Sequence, residues 1–508
     1  MSTPSTTRSR RTFLRRTLRA LAGAAAVGIV RPSERLFGRV LGGLAPTAVG
    51  NLLRIPSTFT GTDIRASRHT QEVWPGEEIP VWTWGGSYPA PTIHVERGDR
   101  FEVRLRNDLD EATIIHWHGM IVPHDMDGHP TDAIGPGETY DYSFEVVNRA
   151  GTYWYHPHAH GRSAPQTYMG MAGFFIVSDQ AEEPLGLPSG PFDIPLLVQD
   201  RRAAETHRFE YNPDPTDVLN GFFGDTILAN GVPDAYLEVE QGLYRFRILN
   251  GSNARIIRLG FADGRSFHVI GTDGGLLERP YEVSETFLAP AERLEILVDF
   301  AEVTVGDSLH LMALEWGGAT TPRQPGYELP IVRFDVTAPA STSYAIPEEL
   351  TPIERIDPDS AARTRVFEFQ TSPIPIGGVH HWINGKVYDM MRIDAGVRAG
   401  ETEIWEIRNT HIMPHPIHVH GVQFQILERI GRGPMEPRDF GWKDTVVVWG
   451  EETVRLIIRF PENRGVFVFH CHNLEHEDAG MMINYEIGDE VMGVEEASEP
   501  LPGGMDLR

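Results

Sequence analysis

Ten histidines of this chain lie in four short segments, and each segment contains a His-x-His pair. In a β-strand, residues i and i+2 point to the same face, so each pair can present two imidazoles to one place. A single pair is most often a satisfied core or surface pair, but four pairs can bring eight imidazoles together. The sequence therefore predicts a metal site. The segments are His116-Trp-His118, His156-Pro-His158, His415-Pro-Ile-His418-Val-His420 and His470-Cys-His472-Asn-Leu-Glu-His476.

A second metal site is predicted around Cys471, the single cysteine, which excludes an intramolecular disulfide. If the histidines on both sides of Cys471 face the eight-histidine site, its thiol must point to the opposite side of the strand. His476 and Met481 follow at intervals of five residues, and His415 comes from another segment. Two imidazoles, a thiolate and an axial thioether form a blue copper site, whereas a zinc site would leave the thioether unexplained. Cys471 would then connect the two sites covalently.

Three similar segments indicate a repeated unit that positions these residues. Each has apolar residues at a spacing of two, which predicts a half-buried strand, and each ends in asparagine. The repeats lie about 150 residues apart, the length of a whole domain, so they are domains rather than solenoid units. The closing residues are Asn107, Asn250 and Asn409.

Length and composition agree with this organisation. The chain has 508 residues with 51 Gly and 38 Pro, which predicts several domains rich in turns and short strands. Stretches rich in Pro and Glu indicate linkers, and we expect domains at 51–180, 190–338 and 360–490. The first and third domains each supply two histidine pairs. We therefore expect the metal cluster at their contact, with the middle domain as a spacer.

The charge distribution excludes some partners. A net charge of -26 argues against nucleic acid and against adhesion to anionic lipid. Residues 8–16 are basic, contain the Arg10-Arg11 pair and precede an apolar run too short to cross a bilayer of about 30 Å. We expect residues 1–50 to be a twin-arginine-type signal and N-terminal arm that directs export to the periplasm or the medium. A disordered basic arm or an uncleaved anchor is the alternative; no obligatory membrane contact is expected.

After this N-terminal region, the chain resembles multicopper oxidases along almost its whole length, with all four copper motifs present. The resemblance implies an all-β fold of three cupredoxin-like Greek-key β-sandwich domains. It also implies four copper ions per chain: one type 1, one type 2 and two type 3. By motif position, the type 1 ligands are His415, Cys471, His476 and Met481, the type 2 ligands are His116 and His418, and the type 3 ligands are His118, His156 and His472 for one ion and His158, His420 and His470 for the other.

Other segments resemble bacterial laccases without carrying ligands: 243–254, 271–275, 289–293 and 441–446. We expect these segments to serve the fold more than the reaction. Asp127 and Glu477 occupy positions that resemble proton-relay acids of the family. For Asp127 a turn-forming role before Gly128 is the alternative, and for Glu477 a surface position or a contact that orients a ligand. His411 could line the substrate entrance.

The resemblance implies a laccase-like enzyme that oxidises a small-molecule or metal-ion reductant and reduces O2. Phenols, aromatic amines, Cu(I), Fe(II) and Mn(II) all fit, and an axial Met481 favours a modest potential. Between 359 and 461 no Met-rich insertion typical of copper-efflux oxidases occurs, so a phenol oxidase is favoured over a cuprous oxidase. Rival interpretations are a copper nitrite reductase, a copper store and a non-catalytic cupredoxin scaffold. The complete ligand set argues against the nitrite reductase and the scaffold, whereas dioxygen consumption would separate an oxidase from a store.

Overall fold

The computed structural model describes residues 50–316, 328–489 and 491. Most regular structure in these residues is β-strand, in six sheets that pack as three sandwiches. The predicted all-β fold of three sandwich domains is confirmed. The predicted signal lies outside the described residues except for Gly50. The α-helices of the described part have five or six residues each, and none there is long and apolar enough to span a membrane.

The first sandwich has two four-stranded sheets and an aromatic core in which Phe101 lies 5.3 Å from Trp117 and 5.2 Å from Phe175, measured between ring centroids. In chain order, the elements are β1 (Asn51–Leu52), β2 (Asp63–Trp74), β3 (Glu77–Trp84), β4 (Ile93–Glu96), β5 (Arg100–Asn107), β6 (Ile115–His118), β7 (Thr139–Glu145), β8 (Gly151–Pro157), α1 (Ser163–Tyr168) and β9 (Gly173–Ser178). The sheet orders are β3-β2-β5-β7 and β4-β9-β8-β6, and β1 pairs instead with the middle sandwich.

The middle sandwich has the larger sheets. Its elements are β10 (Asp193–Arg201), α2 (Pro215–Asn220), β11 (Thr226–Ala229), β12 (Val232–Pro233), β13 (Ala235–Glu240), β14 (Leu243–Asn250), β15 (Ile257–Phe261), β16 (Phe267–Thr272), β17 (Gly275–Val283), β18 (Glu285–Leu288), β19 (Arg293–Asp299), β20 (Ser308–Ala313) and β21 (Leu329–Ala338). The sheet orders are β1-β13-β21-β20-β15-β18 and β12-β11-β10-β14-β19-β16-β17.

The third sandwich has two five-stranded sheets around a core that includes Trp405, Phe469 and Cys471. Its elements are β22 (Arg363–Ile376), β23 (Val379–Ile383), β24 (Ile393–Arg398), β25 (Thr402–Asn409), β26 (His415–Val419), β27 (Phe424–Ile430), β28 (Thr445–Val448), β29 (Thr453–Arg459), β30 (Gly465–Cys471), α3 (Leu474–Asp478) and β31 (Met482–Gly488). The sheet orders are β23-β22-β25-β29-β27 and β24-β31-β30-β26-β28. Short 3₁₀ helices lie at His124–Met126, Pro130–Asp132, Glu183–Leu185, Gly190–Phe192, Pro358–Ser360 and Pro437–Asp439.

The repeat seen in the sequence ends at the same structural landmark in each sandwich. β5, β14 and β25 terminate at Asn107, Asn250 and Asn409, all of which are buried. Each side-chain amide donates to two backbone carbonyls, and each Oδ1 accepts the N–H two residues ahead at 3.0 to 3.1 Å. The same side chain therefore closes the same turn three times, which supports the interpretation of three repeated domains.

The expected half-buried alternation holds for β5 but not for β14. Every second residue of β5 is exposed, whereas all eight residues of β14 are buried. Arg245 and Arg247 on β14 both pair with Glu295, and Arg247 also lies 3.3 Å from the hydroxyl of Thr152 in the first sandwich. The face that the sequence pattern assigns to solvent is thus an interface between sandwiches.

Candidate metal centre

The four His-x-His pairs lie on two strand pairs or directly at their ends, at the contact of the first and third sandwiches. β6 and β8 place His116 opposite His156, while β26 and β30 place His418 opposite His470. Because side chains alternate along a strand, the residue between two histidines points away from the other sandwich. Three such residues lie in the core of their own sandwich: Trp117, Val419 and Cys471.

All eight imidazoles are buried, and their nitrogens lie close together. One close group, His158 with His420 and His470, coincides with a set implied by the resemblance, whereas His116 groups with His118 and His156 as well as with His418 and His420. His118 presents Nδ1 to this site, whereas the other seven rings present Nε2. The short nitrogen-to-nitrogen distances are His116–His418 at 3.2 Å, His118–His156 at 3.3 Å, His156–His472 at 3.4 Å, His158–His470 at 3.3 Å and His420–His470 at 3.1 Å.

The protonation of these rings tests whether metal ions fit. Nδ1 of His116 donates to the carbonyl of Asp127 and Nδ1 of His418 to the carbonyl of Asp444, both at 2.8 Å. A carbonyl can only accept, so each ring carries its proton at Nδ1 and a lone pair at Nε2. Burial lowers the pKa of both histidines well below the usual value, which keeps the rings neutral. Two lone pairs facing each other at 3.2 Å require a cation between them, so the donor set fits metal.

Three residues of the second predicted set, His415, Cys471 and His476, also come together, on the other side of β30. Sγ of Cys471 lies 3.4 Å from Nδ1 of His415 and 3.6 Å from Nδ1 of His476. Met481 is fully buried, and its backbone accepts from the N–H of Cys471 at 3.0 Å and donates to the carbonyl of His476 at 2.9 Å. Burial raises the pKa of the Cys471 thiol, so a metal cation would have to displace its proton.

Comparisons with known proteins decide the family. Profiles described as multicopper oxidase match residues 66–182, 196–315 and 355–491. The chain belongs to the multicopper oxidase family. Multicopper oxidases are oxidoreductases that use oxygen and bind copper.

Three relatives illustrate the range of this family. The crystal structure of the McoA multicopper oxidase from the hyperthermophile Aquifex aeolicus has a TM-score of 0.80 and 37% identity, covering 87% of this chain and 100% of that chain. Laccase from Bacillus subtilis is 32% identical over 80% of this chain and 90% of its own length. Cell division protein FtsP from Xenorhabdus nematophila is 33% identical over 80% of this chain and 84% of its own length.

In this multicopper oxidase, Asp127 connects the two halves of the histidine site. Its carbonyl accepts from His116 of the first sandwich, and its Oδ2 accepts from Nδ1 of His420 of the third at 2.8 Å. The carboxylate bonds a histidine rather than a backbone N–H, so the turn-forming alternative is not its role. Its other oxygen, Oδ1, is buried and without a hydrogen-bond partner. Burial raises the pKa of Asp127 well above the usual value, and Asp132 adds to this.

Asp444 makes the reciprocal connection from the third sandwich, and sequence reasoning missed it. Its carbonyl accepts from His418 of its own sandwich, and its Oδ1 accepts from Nε2 of His118 of the first at 3.1 Å. Burial by itself raises the pKa of Asp444, but the ion pair with Arg293 outweighs it and the pKa is lowered. Asp444 and Arg293 lie in segments 441–446 and 289–293, which we expected to serve the fold more than the reaction. Both segments in fact reach the histidine site.

Glu477 lies beside the histidine site and is 1% exposed, which excludes the surface alternative. Its Oε1 is 3.6 Å from Nε2 of His158, and its Oε2 is 3.2 Å from Nδ1 of His470. Burial raises its pKa, but the imidazoles of His158 and His470 lower it further, so the pKa lies well below the usual value. The carboxylate therefore contacts two of the eight histidines directly, as a residue that orients them would.

A further imidazole, His381, covers the Cys471 site and was also missed. Its ring stacks on that of His476 with centroids 3.9 Å apart. Nε2 of His381 donates to the carbonyl of Val218 at 2.9 Å, and Nε2 of His476 donates to that of Leu219 at 3.0 Å. Both carbonyls belong to α2 of the middle sandwich, so this sandwich is more than a spacer. A His-His dipeptide at 380–381 was the only sequence signal.

Four other histidines lie outside both sets. His129 is buried and bonds Oδ1 of Asn484 at 3.0 Å, and His160 packs on Tyr388. His124 contacts the backbone of Gly465, and His411 is partly buried and accepts the N–H of Met413.

Proposed function

We propose that this multicopper oxidase is a laccase-like enzyme. It would oxidise phenolic or aromatic reductants one electron at a time at a type 1 copper and reduce dioxygen to water at a trinuclear copper cluster. One observation supports the proposal: Sγ of Cys471 lies 3.4 Å from His415, while the two neighbouring histidines, His470 and His472, lie 3.3 and 3.4 Å from histidines of the first sandwich.

The proposed ligand sets are those that the resemblance implies. His415, Cys471, His476 and Met481 would hold the type 1 ion, His116 and His418 the type 2 ion, and the two groups of three histidines the type 3 ions, which gives four copper ions per chain. When bound, copper supplies the one-electron chemistry and the reduction of dioxygen. The protein provides neutral imidazoles, burial that excludes water, and Cys471 as a covalent bridge to His470 and His472.

Dioxygen reduction consumes protons, and two buried carboxylates are proposed to supply them. Asp127 keeps Oδ1 free of hydrogen bonds while Oδ2 accepts from His420, so one oxygen of this acid can carry a proton. Glu477 lies within 3.6 Å of His158 and could pass a proton along the same site.

The surface beside the Cys471 site favours an aromatic reductant. A pocket opens against Pro414 and Pro416, the two prolines that flank His415, and Phe223 and Ile256 of the middle sandwich form its other wall. The residues that line it include no carboxylate, and Asn473 offers a buried Oδ1 that lacks a partner. The pocket has room for about one water molecule, so an aromatic donor would lie against its apolar rim, and the lack of a lining carboxylate disfavours a hydrated metal ion there.

Oxidation of Cu(I) is the second candidate within the family. Met413 contributes a thioether to the same pocket, and thioethers select Cu(I). The variant Met413→Leu keeps the volume and removes the sulfur. A cuprous oxidase would lose rate on Cu(I) in this variant, whereas a phenol oxidase would keep its rate on phenols.

A non-catalytic scaffold is the candidate of another class, since the chain also matches FtsP. The intact ligand sets argue against it. We further propose export by the twin-arginine route, to the periplasm or the medium, with no nucleic-acid partner and no obligatory membrane contact.

Oxygen uptake by the copper-loaded protein tests the proposal, with a visible spectrum recorded on the same sample. Intense blue colour and oxygen consumption on a phenol would support it. Uptake on Cu(I) alone would shift the assignment to a metal-ion oxidase. Bound copper without oxygen uptake would indicate a store, and a colourless protein that consumes no oxygen would favour the scaffold.

A further inference from the structure

His118 is the exception among the eight imidazoles. It presents Nδ1 to the site, so its Nε2 carries the proton and needs an acceptor on the outer side. Oδ1 of Asp444 lies 3.1 Å away, and the hydroxyl of Thr445 lies 3.0 Å away. The ring of His118 also stacks on His418, with centroids 3.6 Å apart, and His418 donates to the carbonyl of the same Asp444. One residue thus fixes the tautomers of two histidines from different sandwiches.

Asp444 is itself held from the middle sandwich. Both of its oxygens pair with the guanidinium of Arg293, Oδ1 at 2.8 Å. Arg293 is fully buried, and its remaining donors reach the carbonyls of Thr152, Ala291 and Asp273. A bidentate fork of this kind fixes the plane of a carboxylate as well as its charge. Asp127, the reciprocal residue, has no such cation on its carboxylate among its described contacts.

We propose that Arg293 is a positioning residue for the histidine site: it holds Asp444 so that His118 presents Nδ1, and not Nε2, to the metal. The middle sandwich supplies none of the eight imidazoles. Through Arg293 it nevertheless sets the orientation of histidines that belong to the other two sandwiches. This inference rests on the proposed function, because it assumes that the eight histidines bind copper. Outer contacts of this kind are worth about 10- to 100-fold in metal affinity.

The test compares three variants in copper-loaded, full-length protein. Arg293→Met removes the fork, and Arg293→Lys keeps the charge. Arg429→Met is the matched control, because the side chain of Arg429 is only 3% exposed, has two acidic partners, Asp439 and Glu452, and has no described contact with the eight histidines. The readouts are copper retained per chain against a chelator and the electron paramagnetic resonance signals. The blue absorption from Cys471 serves as an internal reporter of folding.

We expect Arg293→Met to bind copper about 10- to 100-fold more weakly at the histidine site while the blue absorption persists. Arg293→Lys should recover part of the loss, and Arg429→Met should match the parent. In an Asp444→Asn background, Arg293→Met should add no further loss if Arg293 acts through Asp444. Parent-like retention in Arg293→Met, an equal loss in Arg429→Met, or additive losses in the double variant would each overturn the inference. A parent protein without copper or colour would instead overturn the proposed function.

Discussion

Acid should destabilise the copper-free protein through its buried histidines. Burial, with neighbouring imidazoles, lowers the pKa of His156 to about 3 and, although Glu477 opposes it, that of His158 to about 4. In the unfolded chain both titrate near the ordinary value of about 6.5. The folded pKa values are depressed, so below pH 6.5 the unfolded state binds protons that the folded state cannot. The contribution of these two histidines to the free energy of unfolding is therefore complete above about pH 6.5. It is lost as the pH falls towards their pKa values in the folded state.

The size of this loss in unfolding free energy can be worked out for His156 and His158 alone. Each contributes about 1.4 kcal/mol per pH unit between its unfolded and folded pKa. From pH 7 to pH 5 the loss is about 2 kcal/mol for each, or about 4 kcal/mol for both. A folded domain has only about 5 to 15 kcal/mol of stability, so the effect is a large fraction of the total.

Urea unfolding of the copper-free protein at pH 7 and pH 5 measures this loss. A variant with His156→Asn and His158→Asn should lose about 4 kcal/mol less than the parent across this range. Bound copper should suppress much of the pH dependence of the parent, because copper holds the rings neutral. An equal loss between pH 7 and pH 5 in this variant and in the copper-free parent would refute the reasoning.

Three further variants have clear expected outcomes. Cys471→Ser should abolish the blue colour and phenol oxidation, because the thiolate is lost while the side chain stays similar in size; a parent-like rate would disprove the electron path through Cys471. Asp127→Asn should keep copper but lower oxygen uptake about 100-fold, because the amide accepts a hydrogen bond but carries no acidic proton; unchanged uptake would remove Asp127 from the relay. Replacing the Arg10-Arg11 pair by lysines should block export in cell fractionation, whereas the same change at the Arg15-Arg16 pair should not.

Local features of the chain were sufficient to predict that the eight histidines come together on one side of β30 and that Cys471 meets His415 and His476 on the other. The two-residue period of a strand sends His470 and His472 one way and Cys471 the other, whatever lies around them. The repeated asparagines predicted the three sandwiches for a similar reason, since each closes its own turn through contacts within its own domain.

Contacts between domains could not be predicted from short segments of the sequence. The sequence of β14 predicts a half-exposed strand, because its charged residues alternate with apolar ones. In the structure, Arg245 and Arg247 are instead buried and paired at an interface between sandwiches. His381 and Val218 come from different sandwiches and meet only where those sandwiches pack. Neither residue carries a motif that points to the other.

The sequence by itself determined which residues can bind metal, because ligand chemistry and strand period are properties of short segments. Only the tertiary structure decided how those ligands are held. Asp444 and Arg293 lie 151 residues apart and act together on His118. Burial gives their contact its strength, since an ion pair shielded from water fixes a carboxylate far more firmly than an exposed one. This burial depends on the packing of three sandwiches, so it cannot be predicted from any single segment of the sequence.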